Sequence, residues 1–224
     1  MNYFISFFIL FSITANAGTV SGKASYKGTA KPAAIQMKAD PNCVKENGGK
    51  TVLDEAIVSS GGHLANVFVY VKDAVKGAPA APADAVSFDQ KGCHYVPHVL
   101  GIRTGQSLKI INSDSTSHNV HSMAKGSPSF NAAMPTKGMT MEKKFTKAEQ
   151  MVKVKCDIHG WMVAHIGVMD HPYFAVTGND GGFSIKDLPT GEYTLVAWHE
   201  KLGTKEEKIK VTDAGADKPL DFAF

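Results

Sequence analysis

Turn-forming residues divide this chain into short segments, and this feature limits its fold more than any other. Clusters of Gly, Pro, Asn and Asp recur between short apolar or alternating runs, and helical periodicity is nearly absent. Residues 178–182 and 188–191 are strong turn signals, and Thr104-Gly105-Gln106 is typical of a tight hairpin turn. The pattern therefore predicts an all-β chain.

The apolar and alternating runs show where strands are expected. The predicted strands are residues 19–26, 66–71, 99–103, 107–112, 141–145, 151–156, 165–169, 182–185, 193–198 and 207–211. A Pro/Ala-rich stretch at residues 77–85 is typical of a linker, and a second boundary is expected near His171-Pro172.

Composition and charge argue against two classes of protein. Hydrophobic residues make up 43% of the chain and charged residues 20%, a balance that argues against intrinsic disorder. The net charge is only +3, and no run of Lys or Arg forms a basic arm. Nucleic acid is therefore not an expected partner.

The first 17 residues are typical of a secretory signal peptide. Residues 3–13 are almost wholly apolar, and Ala15-Asn16-Ala17 supplies small residues at the cleavage position. The apolar run is shorter than the ~20 residues that a spanning helix needs, although an uncleaved anchor is the alternative. We expect cleavage after Ala17, no later transmembrane segment, and a periplasmic or secreted mature chain.

The three cysteines leave one without a partner in an oxidising compartment. Cys156 lies three residues before His159, so a metal can account for it. A disulfide between Cys43 and Cys93 is then the economical interpretation, and two buried free thiols are the alternative.

The two ends of the chain share one pattern, and the middle differs from it. Residues 18–76 begin Gly-Thr-Val-Ser-Gly-Lys-Ala, and residues 181–185 and 188–193 give Gly-Gly-Phe-Ser-Ile and Leu-Pro-Thr-Gly-Glu-Tyr. These elements resemble the carboxypeptidase-regulatory-like (transthyretin-like) β-sandwich. The resemblance implies one sandwich made from residues 18–85 and 172–224, interrupted by an inserted domain at residues 86–171.

The strongest chemical signal is a C-x2-H-x2-M motif formed by Cys156, His159 and Met162. Upstream, His118 follows a predicted strand and a short polar loop. Two imidazoles, one thiolate and a weak axial thioether make the trigonal copper site used for electron transfer. Structural zinc is the other option, although methionine is a poor zinc ligand.

The motifs between residues 86 and 170 resemble the cupredoxin family, and amicyanins in particular. The matching elements, in order, are Tyr95-x-Pro97, Gly105, Ile111-Asn112-Ser113-Asp114, His118-Asn119-Val120-His121 and the C-x2-H-x2-M loop. The resemblance implies a Greek-key sandwich that binds one type 1 copper ion through His118, Cys156, His159 and Met162. It also implies that His159 is the exposed edge for electron passage, with Trp161 in an apolar docking patch. Gly160 stands where amicyanins carry Pro.

Three further side chains are candidates for positions next to the metal ligands: His98, Asn119 and His121. For His121 we favour hydrogen-bonded scaffolding over a role as a fifth ligand. For His98 the alternatives are a structural role and an auxiliary metal. Met123, Met134, Met139 and Met141 precede the metal loop, and their alternatives are packing and a soft docking surface.

The sequence thus favours an exported blue-copper protein that exchanges one electron with a redox partner such as a cytochrome or dehydrogenase. Four protein ligands leave no open position for substrate, so we expect a carrier and not an enzyme. The alternative is a copper protein for storage, delivery or sensing. A third option is that the flanking sandwich binds a partner or polysaccharide.

Overall fold

The computed structural model describes residues 16–54 and 57–224 of the chain. The predicted signal peptide lies outside the described residues except for Asn16 and Ala17, and the first strand already includes Ala17. Within the described ranges, none of the helices has the length and apolar character needed to cross a membrane.

Nearly all regular structure in the described residues is β, which confirms the predicted all-β class. Before the Pro/Ala-rich linker lie β1 (Ala17–Ser25), a 3-10 helix (Met37–Ala39), α1 (Pro41–Glu46), β2 (Ser59–Ser60), β3 (His63–Leu64) and β4 (Phe68–Val71). After it come β5 (Val86–Lys91), β6 (His94–Val96), β7 (Val99–Arg103), β8 (Ser107–Asn112), β9 (His118–Ser122), β10 (Phe130–Met134), β11 (Thr140–Lys144), β12 (Glu149–Lys155) and β13 (Val163–Met169). The last strands are β14 (Phe174–Val176), β15 (Gly182–Pro189), β16 (Gly191–His199), β17 (Gly203–Thr212), β18 (Gly215–Ala216) and β19 (Asp221–Ala223).

Strands β5 to β13 build two sheets, which we call the inner sandwich. One sheet has the order β10-β9-β12-β13-β7 and the other β11-β8-β5-β6. Pairing is antiparallel except between β13 and β7 and between β5 and β8. Phe88 and Ile110 from one sheet and Val154 and Ile166 from the other are fully buried in one core. The sandwich therefore closes by face-to-face packing of alternate side chains.

The predicted hairpin at residues 104–106 turns the chain but does not pair its two strands. Gly105 takes the left-handed backbone conformation that glycine allows, and Gln106 N–H donates to Arg103 O at 3.0 Å. However, β7 and β8 lie in opposite sheets of the inner sandwich. The hairpin prediction was wrong because both strands find other partners: β7 pairs with β13, and β8 pairs with β5 and β11.

The remaining strands build the flanking sandwich (β1–β4 and β14–β19). Its sheets are β15-β1-β3-β2, with β19 beside β1, and β14-β4-β16-β17-β18. Val20, Val69, Ile185 and Leu195 share its buried core. Its strands thus come from residues 17–71 and 174–223, on both sides of those that form the inner sandwich. The exact domain boundaries and the transthyretin-like origin of this part stay predictions.

The two sandwiches pack against each other through the outer face of β4. Phe68 is fully buried there beside Val99 and Met169 of the inner sandwich. Gly101 and Gly167 are paired across β7 and β13, and a Cβ on either would overlap the Phe68 ring. These two glycines therefore permit the close approach of the aromatic side chain.

Residues 34–53, which we call the cap segment, leave the flanking sandwich and pack on the inner one. A bridge between Ala34 and Leu53 closes the segment, and Asp40 caps α1 by accepting from Asn42 N–H at 2.8 Å. A disulfide joins Cys43 to Cys93, with the two Cα atoms 5.6 Å apart. The cap segment thus lies over one end of the inner sandwich although it is distant in sequence.

Candidate metal centre

The metal loop (residues 156–162) connects β12 to β13 at one end of the inner sandwich. Cys156 N–H donates to Met162 O at 3.0 Å, and Met162 N–H donates to His159 O at 2.9 Å. These backbone bonds fold the loop on itself and leave all three side chains buried. His118 opens β9, which pairs with β12, so the neighbouring strand delivers the fourth side chain.

Three of the four predicted ligands come together within bonding reach of one ion. The Nδ1 atoms of His118 and His159 are 3.1 Å apart, and Cys156 Sγ is 3.8 Å from His159 Nδ1. Metal–nitrogen and metal–sulfur bonds are about 2.0 and about 2.3 Å long, so a single ion can contact all three atoms. Met162, 1% exposed, ends the same loop. The donor set therefore fits a metal ion.

A carboxylate orients each of the two imidazoles. His118 Nε2 lies 2.9 Å from Asp114 Oδ2, and His159 Nε2 lies 3.0 Å from Asp40 Oδ2. Asp114 is itself held by two backbone N–H groups of the turn between β5 and β6, each at 2.7 Å. Because each Nε2–H can donate outward to a carboxylate, each Nδ1 is left to face the site.

Contacts within the metal-free site shift the pKa of Cys156 towards the thiolate form. Burial lowers the pKa of His118, but its hydrogen bonds with Asp114 and Cys156 outweigh burial and raise that pKa to about 9. Burial raises the pKa of Cys156, yet hydrogen bonds from His118 and the surrounding backbone lower it overall. Burial lowers the pKa of His159, and the neighbouring His118 adds to this. A metal ion would thus replace a proton between its ligands.

The side chains predicted to lie next to the ligands take three different places. Asn119 is beside the site: its Oδ1 is 3.3 Å from Cys156 Sγ and accepts from Asp157 N–H at 2.7 Å. His121 lies further out, with Nδ1 3.0 Å from Asp157 Oδ2. His98 is outside this cluster and belongs to a different one.

His159 is not the exposed edge that the family resemblance implied. Its exposed fraction is 2%, because the cap segment covers its Nε2 side with Asp40 and with Cys43 Sγ at 3.6 Å. Trp161 packs beside it, with ring centroids 5.1 Å apart, and donates from Nε1 to Cys93 O at 3.0 Å. That prediction was wrong because it took no account of a segment from outside residues 86–171.

Sequence reasoning missed both carboxylates of the site. Asp114 was part of the motif compared with cupredoxins, and its spacing of four residues before His118 was the available signal. Asp40 lies three residues before Cys43. The predicted disulfide between Cys43 and Cys93 was the available signal, because it places Asp40 close to the inner sandwich.

No protein-family model and no curated protein matches this chain. Solved structures do match it. Several of the similar structures are amicyanin variants. A Cu-containing nitrite reductase from Thermus scotoductus SA-01 has 23% identity over 44% of this chain, with a TM-score of 0.37. An oxidised amicyanin variant has 24% identity, a TM-score of 0.35, and coverage of 45% of this chain and 98% of its own. A purple cupredoxin from Nitrosopumilus maritimus has 25% identity, a TM-score of 0.33, and coverage of 38% and 100%.

The similarity to nitrite reductase overturns one expectation from sequence, namely that this protein is not an enzyme. This chain spans a quarter of that enzyme's length. Four protein ligands that close one metal site do not exclude catalysis elsewhere on the same chain.

Proposed function

We propose that this protein binds one copper ion through His118, Cys156, His159 and Met162 and transfers single electrons. One observation carries the proposal: two imidazole Nδ1 atoms and a thiolate meet within 4.8 Å of one another in a buried site. Copper bound there supplies a one-electron couple, and this mixture of imidazole, thiolate and thioether suits both of its oxidation states.

The protein's own groups hold the site in one arrangement. Asp40 and Asp114 fix the ring orientations of His159 and His118, and Asn119 ties β9 to the metal loop. Because every ligand is at most 2% exposed, water is kept from the metal. A site whose ligands move little between oxidation states exchanges electrons readily, and these contacts favour that behaviour.

A redox partner would approach the cap segment, since this segment covers the His159 edge. The partner we propose is a protein such as a cytochrome or a dehydrogenase, in the periplasm or outside the cell. The apolar start of the sequence and the Cys43–Cys93 disulfide support an oxidising compartment. The alternative is copper storage, delivery or sensing. A cap held by a disulfide over the site opposes rapid release of copper, which argues against delivery.

The test is the visible spectrum of the purified full chain after addition of Cu(II). A thiolate-to-copper charge-transfer band is expected, and Cys156→Ser should abolish it, whereas Met162→Gln should keep it with a shifted potential. Repeated reduction and reoxidation with copper retained would support the carrier. Loss of copper on reduction would favour delivery, and no band from protein with a free Cys156 thiol would refute the copper assignment.

A further inference from the structure

A second cluster of metal-ligating side chains lies where the two sandwiches meet. His98 directly precedes β7, His165 is on β13, and Glu200 follows β16 of the flanking sandwich. His165 N–H donates to His98 O at 2.9 Å, which fixes the two histidines side by side. One donor atom from each of the three residues lies within 4.8 Å of the others. None of the three is among the four ligands of the first centre.

His165 gives an independent sign that the cluster is built for a ligand. It is 9% exposed, and its Nδ1 is buried with no hydrogen-bond partner among the described residues. A buried polar nitrogen without a partner costs free energy, about 1–3 kcal/mol in proteins. Burial lowers the pKa of His165 to about 4, so its ring is neutral and can bind a metal at neutral pH.

His98 and Glu200 form a close pair opposite His165. His98 Nε2 is 2.6 Å from Glu200 Oε1, and both side chains are 11% exposed. Burial raises the pKa of Glu200, but its contact with His98 lowers that pKa overall, so the carboxylate is charged. Two imidazoles and one carboxylate are a ligand set that proteins use for zinc and other divalent transition metals.

A cavity of about 360 Å³ adjoins the cluster and leaves space for a further ligand. Gly160 and Trp161 of the metal loop line the same cavity, so the metal loop borders both the first centre and this cavity. Lys153 and Lys201 also line it and bring positive charge. Water or a small anion could therefore complete the coordination of a metal held by three protein ligands.

We infer that His98, His165 and Glu200 form a second metal site, which binds a divalent transition-metal ion and keeps an open coordination position towards this cavity. This second site does not depend on which metal occupies the first centre. A small molecule could bind metal at its open position, which the first centre lacks; a role beside an electron carrier would rest on the function proposed above.

The test is the stoichiometry of Zn²⁺ binding to the metal-free full chain, measured by equilibrium titration and elemental analysis. In a Cys156→Ser background, which weakens the first centre, one Zn²⁺ should still bind. Adding Glu200→Gln should weaken that binding about tenfold or more, and His98→Asn should do the same. Glu192→Gln, an exposed acid on β16, is the matched control and should change nothing.

Circular dichroism and thermal unfolding of each variant separate loss of a ligand from loss of the fold. If Glu200→Gln does not fold, the folded His98→Asn variant decides the question. Absence of Zn²⁺ binding in the Cys156→Ser chain would overturn the inference. Binding that survives both Glu200→Gln and His98→Asn would overturn it as well, because the ion would then lie elsewhere.

Discussion

The carboxylate of Asp40 offers the sharpest test of how the first centre is held. Asp40 Oδ1 accepts from Asn42 N–H and caps α1, whereas Oδ2 faces His159 Nε2 at 3.0 Å. Asn at position 40 keeps an oxygen for the cap, since Asn is also a good N-cap residue. Its NH₂ group would then face the imidazole. A ring that binds metal through Nδ1 carries its proton on Nε2, so Asp40→Asn sets two donors against each other.

The expected loss of metal affinity can be estimated from what carboxylates that contact ligating histidines contribute. Loss of a hydrogen-bond partner of a ligating histidine typically costs about 10–100-fold in metal affinity, or about 1.4–2.7 kcal/mol. We expect a loss in this range for Asp40→Asn. We also expect a higher reduction potential, because a less basic imidazole stabilises Cu(II) less.

The assay is competition for Cu(I) with a chromophoric chelator, combined with a redox titration of the visible band. Glu46→Gln is the matched control: it removes one negative charge from the same cap segment, where Glu46 accepts from Ser115 N–H at 2.9 Å and does not contact His159 within hydrogen-bond distance. Equal affinities in wild type and Asp40→Asn would refute the argument. So would an equal loss in Glu46→Gln, since the effect would then be one of net charge.

Three further predictions concern the fold around the centre. Cys43→Ala with Cys93→Ala should speed copper loss to a chelator and, for a separation of 50 residues, lower the free energy of unfolding by about 4 kcal/mol in urea titrations. Gly101→Val should lower the free energy of unfolding by about 1–3 kcal/mol, because the new side chain would overlap the rings of Phe68 and Phe174. Gly160→Ala is the control: its added Cβ would meet no atom within 4 Å, so the unfolding midpoint should not change. Burial lowers the pKa of His199 from 6.5 to about 4, so the free energy of unfolding of the metal-free protein should decrease as the pH falls from 6.5 to 4. His199→Gln should remove about 3 kcal/mol of this decrease, measured by urea titrations across that pH range. The same pH profile in wild type and variant would contradict the argument.

Much of the fold was predictable because strand and turn signals are local. Every predicted strand overlaps an observed one, and the predicted stretch 99–103 coincides with β7. Two of the strands that were missed, β5 and β9, carry buried polar residues, which hide the alternation of apolar and polar positions. In β5, Gln90 is fully buried and donates from Nε2 to Ile111 O at 3.2 Å. In β9, His118 and Asn119 are buried because their side chains point into the candidate metal site.

In the candidate site too, the local features were predictable from sequence and the long-range contacts were not. The ligand motif lies within one loop, so spacing alone indicated Cys156, His159 and Met162. His159 is buried because the cap segment contacts it through Asp40, and a local sequence pattern cannot predict a contact between residues so far apart in sequence. Only the odd cysteine count pointed across that distance, through the pairing of Cys43 with Cys93.

The two candidate centres share a property that bears on how the chain works as a whole. Each is built mainly on the inner sandwich but takes one carboxylate from outside it: Asp40 from the cap segment and Glu200 from the turn after β16. Residues 86–171 alone would keep the four ligands of the first centre, yet they would lose the acceptor on His159 and the disulfide partner of Cys93. They would also keep two histidines of the second centre without its acid. Residues outside the inner sandwich therefore contribute to both candidate sites, and the contacts of Asp40 and Glu200 tie those residues to the inner sandwich in addition to the apolar packing.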